Sequence, residues 1–137
     1  MKVREVMTKT LVFIGAGDTV QEAAQKMKAS RIWQLPVVSG NEAVGVVSDR
    51  DIVVRTVARG FNPKETKVAE AMTKGIVVCK EGDNLEIAAR MMESRRVRRL
   101  PVINRRGELT GSVSLADIID RLNLSFAAPE NFNPVHT

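Results

Sequence analysis

The chain has 137 residues, of which 44% are hydrophobic and 27% charged, and it carries a formal net charge of +5. This composition excludes a disordered or collagen-like polymer, and the length admits one compact domain or two small modules sharing a core. No apolar run approaches the roughly 20 residues that span a bilayer, and Met1-Lys2-Val3-Arg4 opens no signal-peptide core, so a cytoplasmic protein without a membrane segment is expected.

From the N-terminus, the chain reads as the same text written twice. Val3 to Ser39 aligns without gaps to Val68 to Asn104, with Met7-Thr8 returning as Met72-Thr73 and Leu35-Pro36-Val37 as Leu100-Pro101-Val102. Each copy opens on a short strand. An amphipathic helix follows, on Val20, Ala23, Ala24 and Met27 in the first copy and on Leu85, Ala88, Ala89 and Met92 in the second. Asp18 with Gln21, and Asp83 with Glu86, have the spacing of N-caps. Pro36 and Pro101 bar further helix. Val37-Val38 and Val102-Ile103 then form strands, which turn at Ser39-Gly40-Asn41 and at Asn104 to Gly107 and pair with Val44 to Val47 and Leu109 to Val113. A second helix closes each copy, with an apolar face of Ile52, Val53, Val54 and Val57 in one and Ile118, Ile119 and Leu122 in the other.

The fold class is therefore α+β, with two βαββα repeats that each bury too little surface to stand alone and are expected to pack sheet to sheet with pseudo-twofold symmetry. Repeat 1 covers residues 1–60, a linker 61–67, repeat 2 residues 68–124 and a tail 125–137. In the linker region Gly60 suits a helix C-cap. Phe126 and Phe132 favour docking of the tail over exposure to water. The favoured place for Met27 and Met92 is the core.

The most informative local pattern is Gly-x-Val-Ser-x-x-Asp, at Gly45 to Asp51 and again at Gly111 to Asp117. Its glycine lets a backbone or a ligand approach the strand closely. Ser48 with Asp51, and Ser114 with Asp117, have the spacing of a capping box, which needs no ligand. The pattern nevertheless recurs at a strand-to-helix junction, where free N–H groups favour an anion. A serine hydroxyl suits phosphate and an ionised carboxylate accepts both hydroxyls of a ribose, so the pair also describes a nucleotide site. Arg90, Arg95, Arg96, Arg98, Arg99, Arg105 and Arg106 crowd one stretch and fit either a solvated surface or an anion-binding one.

Enzyme chemistry is poorly supplied, so no catalytic residue is assigned. Cys79 follows Ile76-Val77-Val78 and reads as a buried small hydrophobe, and His136 alone cannot anchor zinc. Nucleic-acid binding through the arginine cluster is the alternative, although aromatic residues are only 4% of the chain and give little for bases to stack on. A ligand-free scaffold is a third reading.

From Val3 to Leu122 the chain resembles the tandem CBS-domain pair, or Bateman module. The resemblance is carried by Val6-Met7-Thr8 and Ala71-Met72-Thr73, the paired Leu-Pro-Val, and Gly-x-Val-Ser-x-x-Asp-Ile in both halves. It implies a stand-alone regulatory module that takes an adenosine-containing ligand (AMP, ADP, ATP or S-adenosylmethionine) in clefts between the repeats, forms a homodimer and signals to an unknown target protein. It also implies that Asp51 and Asp117 accept the ribose hydroxyls and that Ser48 and Ser114 contact phosphate or ribose. The base would meet Val12, Ile32 and the backbone at Trp33 in the Asp117 cleft, and Val77, Val97 and Arg98 in the Asp51 cleft. Relatives carry His or Arg before Leu-Pro-Val, a place held here by Arg98-Arg99 in the second copy and by uncharged Trp33-Gln34 in the first, where Arg50 is the available substitute. Unequal sites follow, with the tighter phosphate beside Ser114 and Asp117.

Overall fold

The computed structural model describes residues 1–122, so the expectations for the tail, including Phe126, Phe132 and His136, lie outside the described residues. The described residues divide into two compact units, one made of Val12–Ile76 and the other of Met1–Leu11 together with residues 77–122.

In the unit of residues 12–76 the elements are β1 (Ile14–Gly15), α1 (Val20–Ser30), β2 (Gln34–Ser39), β3 (Glu42–Ser48), α2 (Asp49–Ile52) running into a π-helical segment (Val53–Val57), α3 (Val68–Ala71) and β4 (Thr73–Lys74). The four strands form one sheet in the order β1-β2-β3-β4. Helix α1 carries the chain back so that β1 and β2 run parallel, whereas β2 and β3 form an antiparallel hairpin that turns at Gly40, whose φ of 62° suits glycine. Val20, Ala23 and Met27 of α1 pack with Leu35, Val37, Val47 and Ile52 into a buried core. That is the apolar stripe expected from their spacing, except that Ala24 is exposed.

The other unit contains a 3₁₀ turn (Val3–Glu5), β5 (Cys79–Lys80), α4 (Leu85–Arg95), β6 (Arg99–Ile103), β7 (Leu109–Ser114) and α5 (Leu115–Leu122). Its sheet runs β5-β6-β7, with β5 parallel to β6 and β6 antiparallel to β7. An isolated bridge from Thr8 to Ser112 extends it past β7, as β4 extends the first sheet past β3. Val3 is fully buried here among Cys79, Leu85, Met92, Val102, Val113 and Ile118.

Four features depart from the pattern read in the sequence. The compact units cut across the repeats: the segment opening each repeat packs with the body of the other. The helix caps fall one residue later than Asp18 and Asp83. Thr19 accepts the Glu22 N–H at 3.2 Å and Asn84 occupies the equivalent place, while the two aspartates close the preceding turns by accepting Gly15 N–H and Lys80 N–H, each at 2.9 Å. The closing helix of the first copy turns its valines outward, with Val53, Val54 and Val57 more than half exposed, whereas Ile118 of α5 is fully buried. Finally, the stretch between the repeats is pinned. Thr66 is buried and its carbonyl accepts Val20 N–H at 2.8 Å, and Gly60, at a φ of 74° in the turn after the π segment, donates its N–H to the Val57 carbonyl at 3.1 Å, while the cap itself is Ala58.

Candidate functional site

Ser114 ends β7 and Asp117 lies in the first turn of α5. The Ser114 hydroxyl accepts Asp117 N–H at 3.1 Å, and Leu115 N–H donates to the Arg98 carbonyl at 2.8 Å, which fixes the start of α5 against the start of β6. The β6–β7 register sets Arg99 directly opposite Ser114, so their side chains share one face of the hairpin. Arg99 is exposed, and Arg98 and Val97 are half-buried. Among the described residues nothing donates a hydrogen bond to the Asp117 carboxylate, which is exposed.

In the first copy Gln34 stands opposite Ser48, where the second copy has its arginine, and Asp49 N–H donates to the Trp33 carbonyl at 3.0 Å. The capping box is complete: Asp51 N–H donates to the Ser48 hydroxyl at 3.0 Å and Ser48 N–H donates to Asp51 Oδ2 at 2.9 Å. Asp51 Oδ1 accepts the Thr73 hydroxyl at 3.4 Å and lies 3.7 Å from Arg55 Nη1. Arg50 is exposed, and its N–H donates to Asp49 Oδ1 at 2.9 Å.

The strand glycines meet backbone. A Cβ on Gly45 would run into the Thr73 carbonyl, and one on Gly111 into the Thr8 carbonyl. Of the expected base-contacting residues, Val12 and Ile32 are half-buried and pack against the core of the unit of residues 12–76, to which Trp33, Ser48, Arg50 and Asp51 also belong. Val77 and Val97 pack in the same way against the core of the other unit, with Arg98, Arg99, Ser114 and Asp117. Trp33 is 53% exposed.

The sequence assigns no site role to Arg55, Thr8 or Thr73, although the two threonines help to carry the family resemblance. Their signal was present, because Met-Thr recurs and an arginine follows each motif aspartate by four residues, at Arg55 and Arg121. Cys79 is fully buried, and burial pushes its thiol up to about 12, which keeps it protonated and unreactive at neutral pH. Among the described residues no three His, Cys, Asp or Glu side chains are grouped to hold a metal ion, and no helix is long and apolar enough to cross a membrane.

The family model of the CBS domain matches residues 3–56 and again 68–124. The chain is 37% identical over 119 residues to the uncharacterized protein YlbB of Bacillus subtilis, covering 85% of this chain and 79% of that protein. Its structure is similar to that of Hypoxic Response Protein I of Mycobacterium tuberculosis with two coordinated zinc ions, at a TM-score of 0.73 and 30% identity, covering 88% of this chain and 98% of that one. It is similar also to CBSX2 of Arabidopsis thaliana in complex with AMP, at a TM-score of 0.72 and 26% identity over 89% of this chain and 96% of that one. Two matched segments, each with the same strand-glycine, serine and aspartate at a strand-to-helix junction, place the chain in the CBS-domain family as a tandem CBS pair.

Proposed function

We propose that this CBS pair is a regulatory module without catalytic activity that binds an adenine nucleotide and passes the binding event to a partner protein by a conformational or oligomeric change. The observation that carries the reading is the grouping at the second motif. Arg99 shares a hairpin face with Ser114, one helical turn from the exposed Asp117 carboxylate. A guanidinium fork matches phosphate oxygens, and a carboxylate with free lone pairs accepts a ribose diol. The AMP bound by CBSX2 supports the same ligand class. Ser114 then contacts phosphate or ribose, and Arg98 adds charge. Ser48, Asp51 and Arg50 form the second, weaker position.

Calorimetric titration with AMP, ATP and S-adenosylmethionine tests the reading. Arg99→Ala is expected to weaken AMP by about ten- to a hundredfold, the range for a lost hydrogen bond to a charged group, while leaving adenosine unaffected. Asp117→Ala is expected to weaken both. Unchanged AMP affinity in both variants overturns the assignment. A homodimer is part of the same proposal, supported by the apolar surface of Val53, Val54, Val57 and Phe61, each about half exposed or more.

A further inference from the structure

The duplicated sequence supplies each motif with the same four groups: a serine, an aspartate three residues later, an arginine four residues after that, and a threonine on the segment that pairs beside the strand glycine. They are Ser48, Asp51, Arg55 and Thr73 in one unit, and Ser114, Asp117, Arg121 and Thr8 in the other. The two sets are arranged differently.

In the first set the donors and acceptors form a continuous chain. Arg55 Nη1 donates to the Ala71 and Met72 carbonyls at 3.1 and 2.8 Å and to the Thr73 hydroxyl at 3.2 Å, and the Thr73 hydroxyl donates onward to Asp51 Oδ1. With Ser48 N–H on Oδ2, both oxygens of Asp51 are engaged and its side chain is only 15% exposed. In the second set the serine caps the aspartate N–H, but among the described residues neither Arg121 nor Thr8 contacts the Asp117 carboxylate. The backbone differs at the same place: Arg55 lies in the wider π-helical segment, whereas Arg121 lies on the regular helix α5.

We propose that Arg55 and Thr73 form a latch on Asp51, so that a ribose diol reaches this carboxylate only after displacing them, and that the ligand fills Asp117 first and Asp51 second. The inference rests on the nucleotide reading above, which already makes Asp51 the weaker position, and adds the residues that hold that position closed. A carboxylate offers about four lone-pair positions, and a diol needs one on each oxygen in matching directions. On Asp51, Oδ2 already accepts Ser48 N–H, and Oδ1 faces both the Thr73 hydroxyl at 3.4 Å and Arg55 Nη1 at 3.7 Å, so neither position of Oδ1 is open to a diol while the latch is closed. If the latch is open for a tenth of the time, the apparent affinity at Asp51 is about tenfold below its intrinsic value, and removing the latch restores it.

The test uses the full chain with AMP as the probe. In an Asp117→Ala background the remaining heat reports Asp51, and adding Thr73→Val is expected to tighten AMP about tenfold. Thr73→Val leaves the Arg55 bonds to Ala71 and Met72 in place, so it spares the anchoring that Arg55→Ala would remove. In an Asp51→Ala background Arg121→Ala is expected to change nothing. A ligand-free readout accompanies the titrations: phenylglyoxal should modify Arg55 more slowly than Arg121, and Thr73→Val should speed modification of Arg55. Unchanged or weaker AMP binding after Thr73→Val overturns the gating, and equal labelling of the two arginines overturns the latch. No heat from AMP, ATP or S-adenosylmethionine with the wild-type chain, alongside unequal labelling, overturns the nucleotide reading and the order of filling together while leaving the latch as a structural tie.

Discussion

Gly111→Ala would place a methyl group against the Thr8 carbonyl, a backbone atom that cannot swing aside, so a cost of about 1–3 kcal/mol is expected and a urea melt would measure it. Gly45→Ala should behave alike against Thr73, whereas Gly17→Ala, with open space around it, should be close to neutral. The motif glycine was legible in the sequence as a place of close approach, but not what approaches it, because a carbonyl from a distant segment leaves no local mark. Cys79 makes a second prediction at this scale. Burial, with a smaller contribution from Asp83, raises its thiol from 9.0 to about 12. An acid whose folded value lies above its unfolded value contributes stability that is fully present below the unfolded value and lost as pH rises through the folded one. Denaturant midpoints should therefore fall as pH climbs from about 9 towards 12. Iodoacetamide should spare the native chain near pH 8 and label the urea-unfolded one.

Among the elements, the two closing helices show where pattern reading stops. Both carry an apolar face in sequence, and both begin at the same motif. The first helix gives only Ile52 to its own core and turns Val53, Val54 and Val57 outward, whereas α5 buries Ile118 fully and packs Ile119 and Leu122 against the same core. Periodicity records that a face is apolar, and a core and an interface demand the same chemistry of it. Ile118→Ala is expected to cost about 2–5 kcal/mol, while Val54→Ala should change stability by under about 0.5 kcal/mol. If the valine face joins two copies, Val54→Lys should shift sedimentation towards the monomer while the melting temperature of the isolated subunit stays put. The capping threonine was missed for a related reason: Asp18 and Thr19 are both good cap residues, and only the turn back to Gly15 decides between them.

For the molecule as a whole, the order of elements and the family were legible because duplication doubles every signal. The membership of the compact units was not, since a repeat in sequence need not be a unit of packing. Val3 is buried with α4, β6 and β7, Val3 N–H donates to the Asp83 carbonyl at 2.8 Å, and Thr8 exchanges two hydrogen bonds with Ser112 at 2.8 and 2.9 Å. Removing residues 1–11 should therefore abolish hydrogen-exchange protection in α4, β6 and β7 and spare β2 and β3, which mass spectrometry of the exchanged peptides would resolve. This crossed membership also decides how the gene can be divided. Fragments severed between the two copies each hold a piece that the other lacks, so neither should settle alone and the two should reconstitute when expressed together, which makes that junction the natural breakpoint for a split-protein sensor.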